Sequence, residues 1–243
     1  MIQKPFALRF SKRAALSTSA TVVSESRCTR DLILDAAERR FAERGFTGVS
    51  VREIAADAGL KNQASLYNHF RNKRALYEAT LARGLEPIAA LVASRDQQPI
   101  TAGLEQQAIE AFLDRVLDYL QQHPHLPRLI QRAGLDDSRY LRNAATRLLR
   151  PLYAQGMRVL ESASAPWEPA QLPQLAAGLY HLIFGYFANA GLLQAVVQGD
   201  PLGAVAVARQ RRFLKTAVAQ LLGVSATPRP QRRRRINGKE AAV

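Results

Sequence analysis

Cysteine is nearly absent. Cys28 stands alone in 243 residues, which excludes an internal disulfide and any cysteine-based zinc site within one chain. There are four histidines. His123 and His125 flank a proline, with no third ligand close in sequence, so an exposed turn is expected there rather than a metal site. No glycine-rich phosphate loop, nucleophile elbow or paired carboxylate motif occurs, so neither an enzyme nor a cofactor is expected. No uninterrupted apolar stretch is long enough to span a bilayer, and no segment alternates like a strand over a useful length. The first 27 residues lack the continuous apolar core of a secretory signal, although their scattered Lys, Arg, Ser and Thr faintly match an organellar transit peptide. These absences lead us to expect a cytoplasmic protein with no membrane partner.

What is present favours helices. Hydrophobic residues make up 47% of the chain, enough for a substantial core, and the preference for Ala, Leu, Arg and Gln over β-branched runs predicts an all-α fold. The formal charge of +14 is unevenly placed. The first 27 residues carry +4 and residues 225–243 carry +5, while residues 28–73 carry only +2 and 74–224 only +3. Basicity is therefore a property of the tails, which read as disordered ends. The run RPQRRRR in the second tail would contribute sequence-independent affinity for a polyanion if it contributes at all.

The most informative segment is SVREIAADAGLKNQASLYNHFRNKRAL, residues 50–76. Ser50 followed three residues later by Glu53 makes a capping box, and Val51, Ile54, Ala55 and Ala58 recur at helical spacing. Gly59 closes that helix, with Leu60 folding back onto the apolar face. Asn62 caps a second short helix in which Ala64, Leu66 and Phe70 are expected to face inward, leaving Gln63, Ser65, Tyr67, Asn68 and His69 outward. That outward set is polar but almost uncharged. It suits base edges and phosphates better than a merely solvated face does, and two short helices at a tight turn form a DNA-reading arrangement.

The flanks agree. Residues 30–46, RDLILDAAERRFAERGF, form an amphipathic helix with Ile33, Ala36, Ala37 and Phe41 on one side and Gly45 at its end. Asn72 caps a further helix with Lys73 in its first turn, where the helix dipole offers a cation nothing and a DNA phosphate would explain it. The three blocks AA-xxx-F-xxx-GF from Ala36, S-V-x-x-I-A-x-x-A-G from Ser50 and L-Y-x-H-F-x-x-K-x-x-L from Leu66 resemble the DNA-binding domain of the TetR (tetracycline repressor-like) family of bacterial transcriptional regulators. The resemblance covers about a fifth of the chain. It implies that Ser50 and Tyr67 contact the DNA backbone, that Arg52, Gln63, Ser65 and Asn68 approach base edges, and that His69 and Lys73 hold phosphates. Asn62 falls on the same surface. One departure is visible: between Gly59 and Tyr67 this chain has one residue more than the common pattern, which lengthens the turn.

Beyond residue 76 the pattern is helices and breaks. A helix is expected over 73–94, kinked at Pro87; another runs from a Thr101 cap to about 122. A short one ends near Gly134, and a long one covers 138–162, interrupted at Pro151. A single helix over 168–198 and a last one from the cap Asp200 with Pro201 to Gly223 complete the chain. Gly178 and Gly185 lie two turns apart on one face, with Leu182 between them and Asn189 and Leu192 continuing the line. Helix glycines cost about 1 kcal/mol each relative to alanine, so close approach of another backbone is indicated, either within the subunit or across a two-fold axis. Val205, Arg209 and Phe213 of the last helix offer a further associating face. The family resemblance implies that these last two helices pair into a four-helix bundle in a homodimer. Tyr180, Phe184 and Phe187, with Phe112, Tyr119, Tyr153 and Met157, are either ordinary core or the lining of a mostly apolar cavity. The resemblance implies that such a cavity binds a small effector, and the scarcity of acidic groups among these positions favours an apolar or aromatic one.

The expected organisation is a disordered tail (1–27), an N-terminal three-helix DNA-binding domain with a helix-turn-helix (28–73), a helical effector-binding and dimerisation domain (74–224) and a basic disordered tail (225–243). The expected function is a homodimeric, ligand-responsive transcriptional regulator, a repressor released from a double-stranded DNA operator. The competing reading is an architectural, sequence-tolerant DNA-binding protein whose basic tails supply the affinity.

Overall fold

In a computed structural model, residues 15–96, 105–135, 139–162, 166–197 and 199–224 are described, and every regular element among them is helical. In chain order these are α1 (Ala15–Arg44), α2 (Val51–Asp57), α3 (Gln63–Tyr67), α4 (Lys73–Asp96), α5 (Glu105–Gln122), α6 (Leu126–Leu135), α7 (Arg139–Ser162), a 3₁₀ turn (Pro169–Gln171), α8 (Leu172–Ala188), α9 (Ala190–Val197) and α10 (Ala204–Leu221). The all-α expectation is met. Contacts divide the chain into two units. One comprises the chain up to Ala89 with His123–Pro151 and Phe187–Asn189; the other comprises Ala90–Gln122, Leu152–Tyr186 and the chain from Ala190 onward.

In the first unit, α1, α2, α3 and the start of α4 surround Ile33, Leu34, Phe41, Ile54, Leu66, Leu76, Tyr77 and Leu81, all essentially inaccessible to solvent. Phe41, Phe46 and Tyr77 form an aromatic knot, with Tyr77 edge-on to both phenylalanines at centroid distances of 5.0 and 5.4 Å. Such edge-to-face contacts add to area burial because a positive ring edge meets a negative face. Leu129 and Ala133 of α6 and Ala145 of α7 complete this core, so the packing unit around the reader is larger than residues 28–73. Arg132 of α6 donates to the carbonyls of Ala42 and Glu43 at 2.8 and 2.7 Å. A cation thereby satisfies orphan carbonyls in the last turn of α1, where the helix dipole favours it. Gly84 of α4 is buried, and a Cβ there would lie 2.3 Å from Leu126 Cδ1; glycine is what lets α6 begin so close to α4.

In the second unit, α5 packs on α10, with Leu113, Leu117 and Leu120 on one helix and Val207, Leu214 and Val218 on the other buried. A polar strip runs beside this apolar contact. Arg211 binds Asp114 and Asp118, and Lys215 binds Asp114 at 2.7 Å. Burial opposes ionisation of Asp114, but hydrogen bonds from Lys215 and Arg211 leave its carboxyl below the ordinary range.

Several expectations are corrected. α1 begins at Ala15, so residues 15–27, expected to be disordered, are helical; no Gly or Pro interrupts the segment from Ala15 to Arg44. The expectations for residues 1–14, for the Thr101 cap and for residues 225–243 fall outside the described residues. Pro151 does not interrupt α7, which is continuous through it, and Pro87 likewise sits inside α4. The single helix expected over 168–198 is divided at Asn189, where α8 and α9 meet at a 69° bend. Leu192 therefore does not continue the Gly178–Gly185 line. No single described helix is long and apolar enough to cross a membrane, although the bent α8–α9 pair has the length and composition. The last helix starts at Ala204 rather than Asp200, because the Asp200 carboxylate accepts from the Leu202 amide at 2.9 Å, an Asx turn that competes with helix initiation. His123, expected in an exposed turn, is half-buried with its Nδ1 3.9 Å from the buried Glu38 carboxylate, which Arg83 also contacts.

Candidate nucleic-acid interface

The α2–turn–α3 segment is set by local chemistry. The Ser50 amide donates to the Glu53 carboxylate at 2.7 Å and the Glu53 amide to Ser50 Oγ at 3.2 Å, the reciprocal bonds of a capping box. At the other end of α2, Gly59 takes φ +73°. The Leu60 amide bonds to the Ala55 carbonyl at 2.9 Å and the Gly59 amide to that of Ala56 at 3.0 Å, the two bonds of a Schellman termination. A side chain at Gly59 would be strained by that φ even though no atom stands in its way. The Asn62 side-chain oxygen then accepts from the Ser65 amide at 3.0 Å and starts α3.

Two acidic groups tie α2 to α1. Arg40 grips Asp57 through two nitrogens, at 2.5 and 2.7 Å, and Arg39 adds a third contact. The Arg40 hydrogen bonds hold the Asp57 carboxyl below the usual carboxylate range. Arg44 pairs with Glu53. The Ser50 amide, then the Arg44 guanidinium, bring the Glu53 carboxyl from its ordinary 4.5 down to about 2.

A group whose pKa is depressed on folding stabilises above its unfolded value and loses that contribution as pH falls towards the folded one. The Glu53 contribution should therefore fade between about 4.5 and 2. Glu53→Gln keeps an acceptor for the Ser50 amide and removes the charge. We expect its thermal midpoint to fall less steeply than that of the unmodified chain as pH is lowered through this window. Parallel acid limbs for the two proteins would remove Glu53 from the account.

Most of the expected DNA-contacting residues lie on one accessible segment. Arg52, Asn62, Gln63, Tyr67 and Asn68 are exposed, Ser50 is exposed but engaged in its cap, and Ser65, His69 and Lys73 are half-buried. Both the amide and the hydroxyl of Ser65 bond Asn62. Ala64, expected inward, is exposed; it lies about 200° around the helix from Leu66, and α3 buries only Leu66. The helix itself ends at Tyr67, so Asn68 is its cap and His69 lies just beyond, with its amide bonded to the Leu66 carbonyl.

Lys73 has a partner inside the chain. Its Nζ stands 4.4 Å from the centroid of Phe46, a contact that seats the ammonium without neutralising its charge. Burial pushes its ammonium below the ordinary lysine value, and Glu53 opposes the shift. Sequence reasoning missed Arg30, whose guanidinium lies 5.1 Å from the centroid of the Phe70 ring. Forty residues separate the two, and no local pattern signals the contact.

The other expected residues differ in exposure. Of the effector set, Tyr180 and Phe184 stack at 5.2 Å, and burial raises the Tyr180 hydroxyl. Phe112, Tyr119 and Met157 are half-buried, Phe187 is buried and Tyr153 is exposed. An open cleft of about 450 Å³ in the second unit is lined instead by Trp167, Ala170, Gln171, Gln174, Leu175, Gly178 and Leu221. Of the dimer set, Gly178, Asn189, Leu192, Val205, Arg209 and Phe213 are exposed, while Leu182 and Gly185 are half-buried. Around the positions a Cβ would take on Gly178 and Gly185, no described heavy atom comes within 4 Å apart from the chain neighbours and the helix's own backbone.

A family model described as bacterial regulatory proteins, tetR family, matches residues 33–80, which span α2, α3 and parts of α1 and α4. The chain is 31% identical over 108 residues to the HTH-type transcriptional repressor SCO4008 of Streptomyces coelicolor, and 32% identical over 93 residues to the HTH-type transcriptional repressor BepR of Brucella suis. These alignments cover 44% and 37% of this chain, and the chain spans 50% and 44% of the relatives' own lengths. Among solved structures, the reduced form of Escherichia coli NemR is similar with a TM-score of 0.54 and 24% identity, over 82% of this chain and 99% of that one. The fatty acid degradation regulator FadR of Bacillus halodurans is similar with a TM-score of 0.56 and 15% identity, over 76% and 97%. At these identities the structural likeness speaks for the fold. With the capping box, the Schellman turn and the exposed third helix in the matched segment, residues 33–80 are similar to the tetR family of bacterial regulatory proteins.

Proposed function

We propose that this protein is a homodimeric DNA-binding transcriptional regulator, a cytoplasmic repressor released from its operator by a small molecule. The observation that carries the reading is the accessible row Arg52, Gln63, Tyr67 and Asn68 on a helix-turn-helix whose other face is fully buried. Residues 28–73 act as the reader and 74–224 as the effector-binding and dimerisation part. Dimerisation is supported by the exposure of Leu192, Val205 and Phe213 and is what a long operator requires, since one short helix covers few base pairs and two must sit about one DNA turn apart. Repression is supported by the names of the relatives.

The effector is apolar or aromatic, taken up among Phe112, Tyr119, Tyr153, Met157, Tyr180 and Phe184. Its binding favours a conformation in which the two readers no longer match successive grooves. α4 carries the change, since it begins beside the reader and continues past residue 89. The Arg132 bonds to the end of α1 give α6 a second hold on the reader.

The test is base preference. Gln63→Ala and Asn68→Ala are each expected to relax selection at particular bases by roughly 1 to 3 kcal/mol, while Tyr67→Ala, His69→Ala and Lys73→Ala weaken binding to all sequences alike. Binding-site selection on each variant decides it, and unaltered preference in both the Gln63 and Asn68 variants would sink the assignment. An architectural protein would bind specific and random duplexes about equally at every salt concentration.

A further inference from the structure

Two cations beside α3 are seated on aromatic rings. Arg30 lies over Phe70 and Lys73 over Phe46, at 5.1 and 4.4 Å from the ring centroids. Other arginines of the same unit are held differently. Arg39 and Arg40 bind Asp57, Arg44 binds Glu53, Arg83 binds Asp35 and Glu38, and Arg147 binds Glu78, while Arg132 bonds two main-chain carbonyls.

The distinction has a physical consequence. A carboxylate neutralises the guanidinium it binds and occupies its N–H donors. A ring face attracts the cation through its quadrupole yet leaves the net charge and the in-plane donors directed outward. Phe70 is only 5% exposed, so the platform under Arg30 is fixed, and it follows directly on the Tyr67, Asn68 and His69 that close α3. Arg30 itself is exposed. Its neighbour Asp31 is one residue on along α1, and adjacent helical residues do not face each other.

We infer that Arg30 is a phosphate-contacting residue of the reader, reaching from α1 to the duplex backbone beside the groove that α3 enters, with Phe70 holding its guanidinium in place. The position lies before the first of the three motif blocks and outside the matched segment 33–80. This rests on the DNA-binding reading above. The contact is to phosphate, so it adds affinity and salt dependence without base preference.

The experiment uses the full chain and two probes: a duplex recovered by the unmodified protein from a random-sequence pool, and a scrambled duplex of equal length. Anisotropy titrations over about 50 to 300 mM KCl give the slope of log K against log salt. One lost phosphate contact shrinks that slope by about 0.9 per bound chain, and Arg30→Ala should show this with an affinity loss on the order of tenfold on both duplexes. Arg30→Lys should retain the slope. Tyr67→Ala is the reference. Should it weaken binding while Arg30→Ala leaves both slope and affinity unchanged, the phosphate contact is wrong and the DNA-binding reading stands. Should neither variant differ from the unmodified chain, the DNA-binding reading falls and takes this inference with it. Equal losses in Arg30→Ala and Arg30→Lys, with lowered thermal midpoints and unchanged slopes, would make the ring contact purely structural and overturn the inference.

Discussion

Replacing Leu66 by alanine is expected to cost about 2 to 5 kcal/mol of unfolding free energy, a large part of what a domain of this size possesses. α3 has five residues, far too few to be helical alone. Leu66, with no solvent exposure, is its single buried side chain, and the carbonyl of the same residue accepts the amides of His69 and Phe70. Truncation opens a cavity among Ile33, Ile54 and their neighbours and releases the anchor that aims Gln63 and Tyr67 outward. Urea denaturation followed by circular dichroism measures the loss, and DNA binding should fall further than global stability does. A change below about 1 kcal/mol would mean that the core collapses around the site and that α3 is held by its cap and by Phe70 alone.

Leucine at both Gly178 and Gly185 is expected to leave the subunit folded and to separate the proposed dimer. Apart from its chain neighbours and its own helix backbone, no described atom lies within 4 Å of either added Cβ, so the subunit is expected to accept a side chain there. Across a two-fold axis each would overpack a facing backbone at roughly 1 to 3 kcal/mol per contact, felt twice by symmetry. For each position that corresponds to a dimer weakened by roughly thirtyfold to twenty-thousandfold. Operator binding should decline with it, because one half-site offers too few contacts to retain one subunit. Sedimentation across a concentration series gives the answer. A dimer of unchanged affinity would move the interface to Val205, Arg209, Arg212 and Phe213 on α10, of which Val205 and Phe213 are exposed apolar residues.

The features legible in the sequence are those whose causes are local. The Ser50–Glu53 box, the Gly59 stop, the Asn62 cap and the Asn72 cap each depend on residues three to five apart, and each is present with its expected bond. The three motif blocks brought the family into view for the same reason, since a helix-turn-helix is built from short-range chemistry. Helix ends governed by competition were read less well. Asp200 was a plausible cap, but its side chain closes a turn instead, and at the break itself stands Asn189, with no proline beside it.

Contacts distant in sequence were decided by the tertiary structure alone. Arg30 on Phe70, Lys73 on Phe46, the Arg39–Arg40 hold on Asp57 and the Arg132 cap on α1 join residues 17 to 90 positions apart. Whether an exposed-looking cation sits on a ring, a carboxylate or a carbonyl depends on which surfaces the packed helices bring together. The hydrophobic periodicity that directs each helix inward carries no information about that choice. By itself the sequence determined that the chain is helical, where the helix-turn-helix turns, and which residues of α3 point away from the core, Ala64 and the half-buried Ser65 excepted. The fold decided which charges meet a carboxylate, which a ring face and which a main-chain carbonyl, because that is settled by three-dimensional proximity rather than by order along the chain.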